Sequence, residues 1–339
     1  MIHVPDASQN PLIASRLLSP ANREDFIAEL RTEYEALRQK EMVRNQPVLP
    51  IEEARARSVR KTLKQYVPVA PSIPGRTLRC IPVAELIPFI NWRQLYNAWK
   101  LSGSDEESAR IQSDALAMLS DWDKVGIEVR AIVNLSEAHA EGDDIMIGGV
   151  RIPTLRQQSL AGDASSLSLA DFVGVEKDYA GAFVVSVDVS REIAAFDSEG
   201  DSYRSLLAQS LAHRLAEAAS ECLHRIVRTQ LWGYAPDESM TVKDMFRSRY
   251  QGIRPAVGYP SLPDQKLTFE LDRLLDMSEI GVAITENGAM EPSATVCGLY
   301  IAHPESSYFL IGPMADDQLR DYASRRGLSN DEVRSLLAL

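Results

Sequence analysis

The sequence predicts an α+β fold: a single large domain with a mainly antiparallel twisted sheet flanked by long helices, preceded by an extended Pro-rich N-terminal linker. Three observations carry this expectation. Strand-like runs come in separated groups with long helical runs between them. There is no regular strand–helix alternation and no internal repeat, which argues against a doubly wound sheet. The chain has 339 residues, 45% of them hydrophobic, enough to bury one large core or two ordinary ones.

Taken in order, residues 1–18 read as a short strand and an apolar turn, too little to fold alone. Ser19-Pro20 opens a helix with serine at the N-cap and proline in the first turn, and Phe26, Ile27, Leu30, Tyr34 and Leu37 follow at helical spacing. Residues 46–75 carry Pro47, Pro50, Pro68, Pro71 and Pro74, an extended connection around a short basic helix. Arg55, Arg57, Arg60, Lys61 and Lys64 read there as a solvated face, with a docking patch for an acidic protein as the sharper alternative. Residues 81–120 are mostly helical, and Phe89-Ile90-Asn91-Trp92 and Trp99 are assigned to the core. Residues 126–133 and 180–187 read as buried strands. A helix over about 202–230 carries the stripe Leu207, Leu211, Leu215, Ala218, Cys222 and Ile226. Residues 254–263 cannot be helical. Strand-like segments recur at 294–302 and 307–312. Two helices close the chain, the first ending at Gly327, the second opening at Ser329 with Glu332 as a capping box.

Charge and composition narrow the function classes. A formal net charge of -12 repels phosphate backbones and argues against nucleic acid. Cys80, Cys222 and Cys297 form no CxxC pair and suggest a reducing compartment. No apolar run approaches the roughly 18 residues of a membrane span, and Met1-Ile2-His3-Val4-Pro5-Asp6 lacks the features of a secretory leader. We expect a cytoplasmic protein with no membrane partner. Dinucleotide, P-loop, zinc-protease and nucleophile-elbow motifs are missing. His213, Glu217 and Glu221 share a helix face at i, i+4 and i+8, but read as a solvated stripe with Glu221 and Arg225 paired, not as metal ligands.

One segment stands out: Arg254-Pro255-Ala256-Val257-Gly258-Tyr259-Pro260-Ser261-Leu262-Pro263. Three prolines fix φ, and the residues before them are pushed toward extended geometry. Gly258 permits a turn. The loop therefore displays one cation and one phenol with little conformational freedom left to lose. Arginine offers a planar fork for a carboxylate, and Asp171, polar within Leu169-Ala170-Asp171-Phe172-Val173, is a candidate acceptor for an amino group on the same ligand. A proline-rich loop held by an Arg–Asp ion pair explains the same residues, and both readings stay open at this level.

Arg254 to Pro260 resembles the RPAPGYP signature of the activation domain of cobalamin-dependent methionine synthase, with Val257 in place of a proline. Phe89-Ile90-Asn91-Trp92 resembles that family's [YF]IDW segment. Gly142-Asp143-Asp144-Ile145, Leu155-Arg156-Gln157-Gln158, Leu169-Ala170-Asp171-Phe172 and Asp178-Tyr179-Ala180-Gly181-Ala182-Phe183 follow in family order. So do Arg214-Leu215-Ala216-Glu217-Ala218, Trp232-Gly233-Tyr234-Ala235, His303-Pro304 and Asp321-Tyr322-Ala323. The likeness runs from about residue 17 to the end. Val4-Pro5-Asp6-Ala7-Ser8 resembles the end of the family's cobalamin-binding domain, so residues 1–18 are expected to be its tail and 19–339 the activation domain. An excised piece of a longer enzyme is the expectation, with a natural split subunit as the alternative.

The resemblance implies a module that binds S-adenosylmethionine and presents its methyl group to cob(II)alamin held mainly by a neighbouring domain. A flavodoxin or a flavoprotein reductase would supply the electron. Such a chain belongs to a methyltransferase but has no full turnover alone. By resemblance, Arg254 holds the ligand carboxylate and Asp171 its amino group, while the backbone around Ala256 and Gly258 contacts the ligand. Tyr259 sits near the transferred methyl as the catalytic position. Tyr308 and Phe309 line the groove and Glu217 contributes to the same surface. Departures are His213 where the family commonly has aspartate, Gln265 for a histidine, and Phe309 for a second tyrosine. The competing readings are a stand-alone S-adenosylmethionine-dependent methyltransferase and a ligand-free interaction scaffold.

Overall fold

The computed structural model describes residues 48–101, 103, 105–159 and 164–337; the expected turn at 1–18 and the helix opening at Ser19-Pro20 lie outside them. The described chain is α+β, built on a six-stranded sheet. Its centre is β2 (Glu128–Glu141), long enough to pair β1 (Gly75–Pro82) along its first half and β3 (Asp144–Ile147) along its second. On its other side β2 pairs β5 (Asp178–Ser186), and β5 pairs β8 (Thr295–Tyr300). Strand β4 (Val150–Pro153) closes the far edge against β3. All of these pairings are antiparallel. A separate two-stranded ribbon joins β6 (Ala283–Ile284) and β7 (Met290–Glu291).

Period-two alternation sends the sheet's side chains into two cores. Ala131, Val133, Phe183 and Val185 enter one cluster, whereas Ile132, Ala182 and Val184 enter another. The first cluster is covered by α4 (Glu106–Lys124) and α6 (Ser202–Ile226). Helix α4 starts on Asp105, whose side chain accepts from Ser108 N, and buries Ile111, Ala115, Met118, Leu119 and Trp122. Helix α6 buries Leu207, Leu211, Leu215, Ala218 and Cys222 along the stripe its spacing predicts, then widens into a π turn over Val227–Leu231. The shorter α2 (Val83–Leu86), α3 (Trp92–Ala98), α5 (Ser190–Ser198) and α7 (Val242–Met245) complete this side. The second cluster is covered by α8 (Leu267–Leu275), which buries Leu267, Leu271, Leu274 and Leu275. The terminal helices are α9 (Asp316–Arg326), stopped by left-handed Gly327, and α10 (Asn330–Leu336), opened by the Ser329–Glu332 capping box. Among the described residues, no helix is long and apolar enough to cross a membrane.

Three expectations need correction. The extended 46–75 connection holds α1 (Ile51–Ala56) as its short helix, but its end runs into β1. Exposed Arg79 and Cys80 interrupt alternation there, so the edge strand leaves no pattern. Residues 307–312 form no strand and are tied down singly, through Ile311 N to Pro260 O at 3.2 Å and Gln157 Nε2 to Leu310 O at 2.7 Å. The basic run is not wholly a solvated face: Arg55 and Arg60 turn inward, while Lys64 stays exposed. Arg55 bonds Glu52, Asp143 and Asp321, Arg57 bonds Glu53, Lys61 bonds the Ala56 carbonyl, and Lys64 meets Glu305.

The same contacts anchor this N-terminal connection. Arg156 donates two hydrogen bonds of 2.7 Å to Asp171 and one of 2.7 Å to Asp143. Ser58 Oγ adds a bond to Asp171 at 2.8 Å, and Arg60 donates to the Ala170 carbonyl. Burial alone would raise the Asp143 pKa, but Arg156 and Arg55 outweigh it and the net shift is downward. Removing one partner from a buried, bidentate pair strands the other charge. Asp171→Ala is therefore expected to lower unfolding stability by about 3–5 kcal/mol, read from urea denaturation; a loss under about 1 kcal/mol, the value of an exposed pair, would contradict the assignment. A carboxylate with a depressed folded pKa contributes stability above its unfolded value, about 3.9, and loses it as pH falls through the folded one. The urea midpoint is expected to drop below about pH 4, and to drop less steeply in Asp143→Asn.

Candidate functional site

The loop after α7 returns along β8 as an extra extended segment. Ile253 N bonds Ile301 O at 2.9 Å, Ile301 N bonds Ile253 O at 3.0 Å, Leu299 N bonds Pro255 O at 2.9 Å, and Val257 N bonds Cys297 O at 3.0 Å. The approach depends on Gly298, where any Cβ would collide with the Pro255 carbonyl. Ile253 and Val257 turn into the second core cluster, while Arg254 and Ala256 face the opposite side and line a groove. Gly258 does not line it. It is exposed, at φ +83°, where an added Cβ would run into the Gln265 side chain, which donates to Gly288 O at 3.0 Å. Gln265 thus braces the turn from within the chain.

The groove has a volume of 510 Å³, within the range of about 300–1,000 Å³ usual for small-molecule sites. Its floor is Phe183 and Val296 from the sheet. One wall is α6 with Glu217, Ser220 and Glu221; the opposite wall is the Arg254–Ser261 loop with Tyr308, Phe309 and Leu310. Phe89, Asn91 and Gln94 close one end, and Met245, Phe246 and Tyr250 another part of the rim. Tyr259 is 55% exposed and stands at the mouth; the Tyr308 ring reaches solvent beside it, with its hydroxyl turned inward to the Arg254 backbone.

Arg254 is held before any ligand arrives. Its Nη2 donates to Glu221 Oε2 at 2.7 Å and its Nη1 to Tyr250 OH at 2.9 Å, while its backbone N donates to Tyr308 OH at 2.9 Å. Burial disfavours the guanidinium charge, but Tyr250 and Glu221 outweigh it and the pKa is raised. Two of five guanidinium N–H groups are used by these bonds, leaving donors for an anion. Glu217 lines the groove from the same helix, bonded to Arg214 Nη1 at 2.9 Å. Burial raises its pKa against the opposing pull of Arg214 and Arg254. The site therefore presents a fixed cation, a carboxylate on the wall and an aromatic mouth, a set complementary to a zwitterionic amino acid carried on a larger apolar group.

The structure brings together Arg254, Ala256, Tyr259, Tyr308, Phe309 and Glu217. It does not bring Asp171. That carboxylate lies among residues of the second core cluster, on the other face of the sheet, and its oxygens are taken by Arg156, Ser58 and the Ser168 N–H. Asp171 and Arg254 do not share a groove. Glu221 pairs with Arg254 instead of the expected Arg225, whose guanidinium lies 5.0 Å from the Phe89 ring centre. Sequence reasoning missed Glu221, Tyr250 and Asn91. Asn91 was legible only as part of a core segment, though Phe89 beside it is both core and groove wall.

Comparison with known proteins shows the family and the fold. The model of the vitamin B12 dependent methionine synthase activation domain matches residues 82–327. The crystal structure of the MetH reactivation domain bound to AdoHcy superposes with a TM-score of 0.81 at 33% identity, covering 86% of this chain and 98% of that one. The chain belongs to the activation-domain family of vitamin B12-dependent methionine synthase.

Proposed function

We propose that the groove binds S-adenosylmethionine and holds its methyl group outward for reductive remethylation of cobalamin carried on a neighbouring domain. The observation that carries this reading is the Arg254 guanidinium, fixed on a strand-like loop opposite an aromatic mouth, with Glu217 on the wall. Arg254 receives the ligand carboxylate through its remaining donors. Glu217 accepts from the ammonium group, the role first assigned to Asp171, and Asn91 supplies a neutral polar contact. The Ala256 backbone lies along the ligand. Gly258 acts at one remove, by letting the loop turn over Gln265. Phe309 offers an apolar surface where a second tyrosine would add a hydroxyl.

The sulfonium of the ligand supplies an already activated methyl, so the chain's task is placement more than acid–base chemistry. Tyr259 stands at the mouth beside the position the methyl would occupy. The electron comes from outside the chain, from a flavodoxin or flavoprotein reductase. A free-standing methyltransferase of the Rossmann type is disfavoured by the antiparallel sheet, and a ligand-free scaffold by a preformed site around a fixed, partly buried cation.

Calorimetric titration tests this. The chain is expected to bind S-adenosylmethionine with no methyl transfer on its own. A charge-assisted bond contributes about 1.5–3 kcal/mol, so Arg254→Ala should weaken binding roughly ten- to hundredfold. Glu217→Gln should weaken it by less, with Asp171→Asn acting on stability and not on affinity. An intact chain that does not bind, or an Arg254→Ala variant that binds equally well, would overturn the reading.

A further inference from the structure

Behind the Arg254–Glu221 pair, α6 and the π turn that continues it turn a row of polar side chains toward β8. Glu221, His224 and Arg228 stand at i, i+3 and i+7 and so share one face. Tyr300 of β8 meets them: the His224 and Tyr300 rings stack with centres 5.1 Å apart. Tyr250 lies edge-on to His224 at 4.8 Å, and the Arg228 guanidinium sits 4.2 Å from the Tyr250 ring centre. Tyr234 OH reaches His224 Nε2 at 3.4 Å. Arg228 is also held by Glu238 through two bonds of 2.6 Å.

This cluster is not satisfied by protein. Glu221 Oε1, His224 Nδ1, Arg228 Nη1 and Tyr300 OH are buried and have no hydrogen-bond partner among the described residues. Buried polar atoms are overwhelmingly paired, with protein or with ordered water, and leaving one unpaired is costly. Four such atoms gathered around one ring stack are not explained by chance packing. Their chemistry is mixed: Arg228 donates, the Glu221 oxygen accepts, and the Tyr300 hydroxyl does either. Burial, with Arg228 and Arg254 nearby, holds the His224 pKa well down, so its ring has one donor and one acceptor nitrogen. Water is the small species that donates and accepts at once, and a buried water takes about two to four polar partners.

We propose that ordered water bridges these atoms between α6 and β8, making Tyr300 and His224 positioning residues for the Arg254 guanidinium. The link runs through groups already on Arg254: Glu221 and Tyr250 accept its two terminal N–H bonds and both belong to the cluster. Water on Glu221 Oε1 fixes the carboxylate's rotation, and the carboxylate fixes the guanidinium that meets the ligand's carboxylate. The positioning role rests on the proposed donor-binding function; the hydration does not.

The test has two arms on the full chain. A crystal structure at a resolution that places ordered water should show water within hydrogen-bond distance of Tyr300 OH and of Glu221 Oε1 or His224 Nδ1. Titrations then compare S-adenosylmethionine with 5′-methylthioadenosine, which keeps the adenosine but lacks the amino acid. Tyr300→Phe should weaken the first roughly three- to tenfold and leave the second unchanged, as should His224→Gln if the tyrosine variant fails to fold. A dry cluster, four atoms paired directly to protein, equal weakening of both ligands, or no weakening would each overturn the proposal. An unaltered chain that binds neither ligand overturns the donor reading and the positioning role with it, while the water arm still decides hydration.

Discussion

The close approach of residues 253–257 to β8 is the constraint on which the site depends. Four backbone hydrogen bonds fasten the segment, and Gly298 gives it room. Fastening sets the alternation of its side chains, so Ile253 and Val257 are buried in one core while Arg254 must face the other side. There it meets Glu221 of α6, in a pair whose side chains are 20% and 7% exposed. A pair this buried gains little net stability, because desolvation offsets much of the attraction. What it secures is direction. A guanidinium already oriented loses little freedom when a carboxylate docks, and that is where pre-organised sites gain affinity.

The second ion network works on the opposite side of the sheet and does a different job. Arg156, Asp143 and Asp171 gather the short helix α1 and the turn after it onto the sheet's far end, with Arg55 joining Asp143 to Asp321 of α9. Here charge holds chain segments that carry few apolar residues of their own. The two networks share residue types and differ in what surrounds them: one is saturated by protein partners, the other opens on a groove and keeps donors in reserve.

That difference explains how far the sequence could be read. Helix α6 was legible because Leu207, Leu211, Leu215, Ala218 and Cys222 recur at helical spacing and all become buried. The terminal helices were legible from their caps at Gly327 and Ser329. Edge strand β1 was not, since exposed Arg79 and Cys80 break its alternation, and the β3–β4 hairpin was seen only as a motif around Gly142 to Ile145. For the site, proline spacing singled out the Arg254 loop and resemblance supplied Glu217, Tyr259, Tyr308 and Phe309. Asp171 was misplaced because a polar residue in an apolar run reads the same whether it serves a ligand or a buried arginine. Only the face of the sheet decides between them, and that face is set by contacts with Arg156 and Ser58, distant in sequence. Glu221 was hidden for a related reason, since its nearest cation along the helix, Arg225, is not its partner in space.

The most direct measurement of the central claim is a crystal structure of this chain with S-adenosylmethionine bound. The account predicts the ligand carboxylate on Arg254 and the ammonium group on Glu217, the methyl directed to the mouth beside Tyr259, and Asp171 still bound to Arg156. A ligand whose carboxylate lies away from Arg254, or whose ammonium group reaches Asp171, would contradict it.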